Sequence, residues 1–229
     1  MSADPRISVV IPTLNEASEL PETLRRVVAI PEVLEILVVD GGSQDATVAF
    51  ATAAGCQVIS SQRGRGNQLR IGAELARGEL VLMLHADTWL PPNAGSALSQ
   101  ALSAPSVVAG AFWKQFRHPH WLMRGSRWRC WTRRHVFGRV AGDQGIFVRR
   151  DVLQQAGGVP NVPLMEEFEL CRRLRPFGRL VLADATVLTS SRRWRERGVV
   201  RTYVRMWEVT FLYYLGYSPE ALAVLYQAR

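Results

Sequence analysis

The sequence predicts an α/β fold, with a Rossmann-like, mostly parallel central sheet covered by helices on both faces. Two observations carry that expectation. Short apolar runs alternate with helical stretches through the first half, at lengths that suit parallel strands joined by crossover helices. The composition, 48% hydrophobic and 21% charged, supplies a folded core rather than a disordered chain.

The elements follow in order. Ile7 to Ile11 is an apolar run stopped by Pro12, as expected of a buried strand. A helix is expected from about Ala17 to Ala29, where Leu20, Leu24, Val27 and Val28 recur at helical spacing. Ile36 to Val39 forms the second strand and stops at Asp40-Gly41-Gly42-Ser43. A helix from about Asp45 to Ala54 leads to a third strand, Gln57 to Ser60. A loop with Gly64 and Gly66 opens the next helix, to about Arg77. Leu80 to Leu84 is the fourth strand and ends at His85-Ala86-Asp87. In open sheets of this kind ligands bind outside the carboxyl ends of the strands, where Asp40 and Asp87 both stand. Either aspartate alone reads equally well as a helix cap or turn residue. The matched placement of the pair favours a site.

Length and charge narrow the function classes. At 229 residues one domain is expected, or two tightly fused halves over about 1–111 and 112–229. No stretch reads as a signal peptide or a spanning helix, and Cys56, Cys130 and Cys171 are too scattered for a disulfide framework or a metal spacing. The expected compartment is the cytoplasm, with attachment at the inner face of the membrane left open. The net charge of +8 is uneven: residues 1–111 carry −4, residues 112–150 carry +9, and residues 151–229 carry +3. Lys114 is the only lysine among the 28 basic residues. The basic segment also holds Trp113, Trp121, Trp128 and Trp131, a mixture suited to phosphates, nucleic acid or an anionic membrane.

Gly64-Arg65-Gly66-Asn67-Gln68-Leu69 imitates a dinucleotide fingerprint, but its third glycine position is Leu69 and it follows the third strand rather than the first. Its glycines instead allow backbone to approach a ligand, with Arg65 available to an anionic group.

Three motifs then point further. Ile7-Ser8-Val9-Val10-Ile11-Pro12-Thr13-Leu14-Asn15-Glu16, Val38-Val39-Asp40-Gly41-Gly42-Ser43-Gln44-Asp45 and His85-Ala86-Asp87-Thr88 resemble, in order and spacing, the family 2 glycosyltransferases. Gly142-Asp143-Gln144-Gly145 and Met165-Glu166-Glu167 also fit, so the resemblance spans about residues 6–200. The "HADT" and "GDQG" variants look most like the branch called rSAM/selenodomain-associated transferase 2. The resemblance implies the GT-A fold and an inverting transfer of sugar from a nucleotide diphosphate donor, most simply a UDP-sugar. It places Asp40 against the uracil N–H and puts Pro12, Thr13, Leu14 and Glu16 around base and ribose. Arg65 and Gln68 are candidates for base or diphosphate. His85, Ala86 and Asp87 complete the donor set, although Arg70 stands where relatives often carry Asn. Asp87 matches the last acid of the family D-x-D motif, which implies Mn²⁺ or Mg²⁺ bridging carboxylate and diphosphate. His85 replaces the first acid, and either ligates the metal or lines the cleft.

The second half is expected to bind the acceptor and carry the base. Inverting transfer to a hydroxyl needs a carboxylate to remove its proton, and Glu167 matches the Asp of the family's Glu-Asp pair, with Glu166 in reserve. Glu169 fits an ordinary acidic first turn better. Asp143, Gln144 and Trp194 are candidate acceptor contacts, and Arg192 and Arg193 candidate diphosphate contacts, unless these arginines belong to a solvated basic face. His118 and His120 read as surface residues. The apolar helical stretch Tyr203 to Tyr226 either packs on the domain, pairs with a second subunit or lies on a membrane. Two rivals remain. A nucleotidyltransferase would need a glycine-rich loop after the first strand, which is missing, and an RNA-binding protein would not need Asp40 or Asp87. No nucleic-acid partner is expected.

Overall fold

The computed structural model describes residues 5–227, apart from the side chains of Arg193 and Gln227. In chain order the elements are β1 (Ile7–Thr13), α1 (Leu20–Val28), β2 (Val33–Asp40), α2 (Thr47–Ala53), β3 (Gln57–Ser60), α3 (Arg65–Leu75), β4 (Leu80–Met83), β5 (Thr88–Trp89) and α4 (Ala94–Ala101). There follow β6 (Val107–Phe116), α5 (Ser126–His135), β7 (Ile146–Arg149), α6 (Arg150–Gln155), α7 (Glu166–Leu174), β8 (Arg179–Thr189), α8 (Arg192–Arg197), α9 (Val199–Tyr214) and α10 (Pro219–Gln227). One eight-stranded sheet runs through both halves in the order β3-β2-β1-β4-β7-β6-β8-β5. Its first four strands are parallel, as expected. The antiparallel pairings, β4 with β7, β7 with β6 and β8 with β5, all involve strands of the second half.

Strand alternation separates two cores. Ile7, Val9 and Ile11, with Ile36, Val38, Leu80 and Leu82, meet α1, α2 and α4 on one face. Val10, Leu37, Val39, Val81 and Met83 meet α3, α6 and α7 on the other. The second packing needs Gly72, because a Cβ there would overlap Val10 and press on Val39.

Among the boundaries that differ from the sequence reading, three have a clear physical cause. β1 runs through Pro12 to Thr13; β4 flanks it only as far as Val10, so the proline falls where one edge of the strand has no strand partner. α1 starts at Leu20 rather than Ala17, because the preceding loop is pinned to the β2–α2 loop. Asn15 donates its backbone N–H to Ser43 Oγ (2.9 Å), Glu16 to Thr47 Oγ1 (2.8 Å) and Ala17 to Asp45 Oδ2 (3.1 Å). The expected helix from Tyr203 to Tyr226 is two helices, broken where Gly216 takes φ +91° just past α9 and Pro219 opens α10.

Candidate active site

The carboxyl ends of β1, β2 and β4 place their loops along one edge of the sheet. At the end of β2, Asp40 is buried, and its carboxylate accepts four hydrogen bonds. Thr13 Oγ1 (3.1 Å) and Ser43 Oγ donate to Oδ1, and the N–H groups of Gly42 (2.9 Å) and Ser43 (2.8 Å) to Oδ2. Burial pushes its pKa up, but these donors outweigh it and hold the carboxyl below the usual aspartate range. Gln68 is also buried; its amide N–H₂ bridges the carbonyls of Thr13 (2.8 Å) and Val39 (2.7 Å), tying α3 to the ends of β1 and β2. Both side chains shape the donor-side turns through contacts within the protein.

Beside them lies a charged cluster. Glu16 pairs with Arg192 (3.0 Å), which also reaches Ser18 Oγ (3.2 Å). Burial raises the Glu16 pKa; Arg192 opposes this, and the nearby charges of Asp87 and Glu19 add to the rise. Arg192 of α8 therefore closes over the loop after β1, next to Asp87. The side chain of Arg193, named with it as a diphosphate contact, lies outside the described residues.

His85 and Asp87 follow β4. The Nε2 of His85 faces Arg65 Nη1 at 3.3 Å, and because a guanidinium only donates, that nitrogen acts as acceptor. Arg65, at the first turn of α3, spans the site. Its Nε donates to Glu166 and its Nη2 to Glu167 Oε2 (3.3 Å), joining the start of α3 to the first turn of α7. Met165 enters α7 from a left-handed conformation, φ +63°, so that the two glutamates start the helix facing Arg65. Glu166 is almost fully buried, whereas the Glu167 side chain keeps 16% exposure. Burial raises the Glu167 pKa and the adjacent Glu166 adds to it, while Arg65 pulls the other way. A narrow cavity lined by Met83, His85, Gly142, Val159, Glu166 and Glu167 opens between β4 and α7.

Near His85, Asp143 pairs with Lys114 (2.6 Å). Burial would raise the Asp143 carboxyl, but Lys114 brings it down to about 2. Its other oxygen, Oδ1, is buried without a hydrogen-bond partner. The neighbouring Gln144 is fully buried. Its Oε1 accepts from Ala141 N (2.9 Å) and Arg133 Nη1 (3.1 Å), and its Nε2 donates to the Phe112 carbonyl (2.9 Å). Trp194 is buried too, packed edge-on against Phe116 and tilted against Tyr203 in a small core with Met123. Expected as acceptor contacts, Gln144 and Trp194 are instead turned inward, because each finds its partners within the fold. Asp143 stays at the site. His118 and His120 are exposed, as expected.

Two residues escaped the sequence reading. Arg117 pairs with Glu19 (2.6 Å), donates to the Asp87 carbonyl (3.2 Å) and stacks over Trp89 (3.8 Å), buttressing the loop after β4. Lys114 fixes Asp143; being the only lysine in the chain, it carried a signal.

For a divalent metal, the described residues hold no cluster of three His, Cys, Asp or Glu side chains able to bind an ion. Asp87 is a carboxylate at a strand end, and Mg²⁺ is commonly held by one or two carboxylates together with substrate phosphates. The donor set therefore fits an ion arriving with a diphosphate rather than a resident one, with His85 Nε2 already turned to Arg65.

Comparisons with known proteins agree with this geometry. The profile of the family "Glycosyl transferase family 2" matches residues 8–150. Among curated relatives, the undecaprenyl-phosphate 4-deoxy-4-formamido-L-arabinose transferase of Sodalis glossinidius is 32% identical over 157 residues, covering 63% of this chain and 48% of the relative. Its counterpart in Pseudomonas paraeruginosa is 34% identical over 152 residues, covering 61% and 43%. The chain thus aligns with less than half the length of either relative. Among solved structures, a mannosyltransferase from Pyrobaculum calidifontis in complex with GDP-Man and Mn²⁺ superposes with a TM-score of 0.62 at 20% identity, covering 82% of this chain and 57% of that one. Glucosyl-3-phosphoglycerate synthase from Mycobacterium tuberculosis, in a complex with Mn²⁺ and UDP, gives 0.59 at 20% identity, covering 82% and 71%. The fold is that of the GT-A glycosyltransferases. With the family matched across most of the chain's length and the motif loops gathered along one sheet edge, the chain belongs to glycosyl transferase family 2.

Proposed function

We propose that this enzyme transfers a sugar from a UDP-sugar to an acceptor hydroxyl with inversion, using Glu167 as the base. One observation carries the reading: Arg65 spans from the donor-side His85 to the Glu166–Glu167 pair, leaving Glu167 the more open of two adjacent buried carboxylates. A raised pKa suits a group that must take a proton near neutral pH. Glu166 anchors Arg65 and keeps Glu167 oriented.

On the donor side, the loop after β1 (Pro12, Thr13, Leu14 and Glu16) and the turn built on Asp40 form the walls for base and ribose. The Asp40 carboxylate, already accepting from four donors, acts mainly by fixing that turn. Arg192 lies where the leaving diphosphate develops its charge, and an arginine fork there would stabilise it. Asp87 would hold the Mn²⁺ or Mg²⁺ that accompanies the donor; when bound, the ion neutralises charge on the diphosphate. Asp143, whose side chain is held by Lys114 and stays partly exposed, is the candidate contact for a sugar or acceptor hydroxyl.

The curated relatives are named for undecaprenyl phosphate, which supports a second reading with a phosphate oxygen as nucleophile. Such an oxygen is already anionic and needs no base. The two buried glutamates therefore favour a hydroxyl. Thermal-shift screening of nucleotide sugars with and without Mn²⁺, then turnover assays with hydroxyl and polyprenyl-phosphate acceptors, would test this. Transfer only to the phosphate, insensitive to Glu167→Gln, would replace the first reading with the second.

A further inference from the structure

The outer faces of α5 and α9 carry large apolar side chains at helical spacing. On α9, Val200, Val204, Trp207, Phe211 and Tyr214 recur every three or four residues, and all five are exposed, Trp207 by 74%. The opposite side of that helix is the one that packs, through Thr202, Val209 and Leu212. The apolar stripe is therefore turned outward, the reverse of an ordinary surface helix.

A second patch adjoins it. Trp128 and Trp131 stack on each other along α5 with ring centroids 5.2 Å apart, and Trp131 stacks on His135. Trp128 is 66% exposed, and Trp121, just before the helix, 67%. Side-chain contacts link the two helices. Arg129 sits over Tyr203 near their starts, and Phe137 approaches Tyr214 near their ends (6.5 Å between centroids). Exposed Arg124 and Arg127 border the tryptophans, in a stretch, residues 118–142, that contains no acidic residue.

We infer that this α5–α9 face docks the enzyme on an anionic lipid bilayer. Tryptophans whose rings sit at headgroup depth, with arginines facing lipid phosphates, are the chemistry of an interfacial surface. No helix among the described residues is long and apolar enough to span a membrane, so the face lies on the bilayer. Charge selects this occupant over a second copy of the chain, since a two-fold interface would set the basic border against itself. The face also connects to the site. Arg133 of α5 holds Gln144, beside Asp143, and Tyr213 of α9 donates to Glu169 of α7 (2.6 Å), two residues beyond Glu167. Docking goes beyond the reaction proposed above and holds whichever sugar is transferred.

Cosedimentation of the full chain with vesicles tests it, using pure phosphatidylcholine against phosphatidylglycerol-rich vesicles at low and high salt. Binding is expected on the anionic vesicles at low salt and should weaken with salt. Trp128→Ser with Trp207→Ser should lower partitioning roughly tenfold or more per tryptophan. Arg124→Ser with Arg127→Ser should lower it about fivefold per arginine. Thermal unfolding checks that both double variants keep the fold, because Trp128 stacks on Trp131 and Arg127 lies over Trp113 and donates to Thr186; Trp207→Ser and Arg124→Ser alone give the same directions of change. Quenching of wild-type tryptophan fluorescence by brominated lipids provides a readout that needs no variant. Several results would each overturn the inference: no sedimentation with anionic vesicles at low salt, binding unchanged in both variants, a wild-type dimer in light scattering that Trp207→Ser disperses without any vesicle binding, or retention on RNA alone. UDP binding is measured separately, so its failure would leave the vesicle result intact.

Discussion

The turns at the ends of β1 and β2 and the facing side of the cleft are built on opposite principles. Along β1 and β2 the polar side chains are saturated from within: Asp40 accepts four hydrogen bonds, and Gln68 ties two strand ends together. Across the cleft, Asp143 keeps a buried oxygen with no partner, and Glu167 carries a carboxylate raised by burial and by its neighbour. On the function proposed above, the saturated side would mould a nucleotide, which presents the same shape at every turnover, and the unsaturated side would serve a reacting hydroxyl at a cost in stability. The contrast teaches where chemistry and where shape reside in this fold.

The sharpest way to break that contrast is Glu167→Gln. It keeps size and hydrogen bonding but takes no proton, so turnover should fall on the order of 10²–10⁴ while UDP affinity survives. Glu166→Gln should be milder, and Glu167→Asp, which restores the family residue, should retain measurable transfer. Near-normal turnover in Glu167→Gln with an inactive Glu166→Gln would move the base one residue back.

Next in size is Asp87→Ala, expected to abolish the enhancement of UDP binding by Mn²⁺ while leaving the fold intact. Isothermal titration with and without the ion reads this directly, and an unchanged enhancement would remove Asp87 from the metal. Asp40→Asn probes the mould. With its amide oxygen on the Gly42 and Ser43 N–H groups, the variant turns its N–H₂ to the Thr13 and Ser43 hydroxyls, which must reverse to accept, and the loss of charge weakens the remaining bonds; this should cost about 1–3 kcal/mol in denaturant unfolding. A variant as stable as wild type would show that the turn does not depend on this carboxylate.

The smallest expected effect is a displacement of the pH profile. Arg65 lowers the Glu167 pKa, so Arg65→Gln should raise it further. Because the base works deprotonated, the acidic limb of kcat should move to higher pH. A limb that stays in place would separate Arg65 from the titration of the base.

Much of this was legible in the chain. The first-half strands are short apolar runs whose β1, β2 and β4 side chains divide cleanly between two cores, and backbone periodicity alone dictates that division. The spacing of the motif loops followed from it, since each loop lies at a strand's carboxyl end. Boundaries were less readable where contacts distant in sequence decide them, as at α1, whose start is delayed by hydrogen bonds from residues 15–17 to residues 43–47.

Side-chain direction was the part that only the tertiary structure decided. Trp194 and Gln144 stood in plausible motifs, yet the fold turns both inward, because Phe116, Tyr203 and the Phe112 carbonyl happen to surround them. Lys114 and Arg117 gained their roles from partners 29 and 98 residues away. In the first half, sequence alone determined which segments form the parallel strands and their helices and which loops share an edge, because those depend on local periodicity and on the hydrophobic effect acting on one element at a time. Which polar atoms spend their hydrogen bonds within the protein, and which stay available to a ligand, depends on groups brought together by the finished packing, and that was settled only in three dimensions.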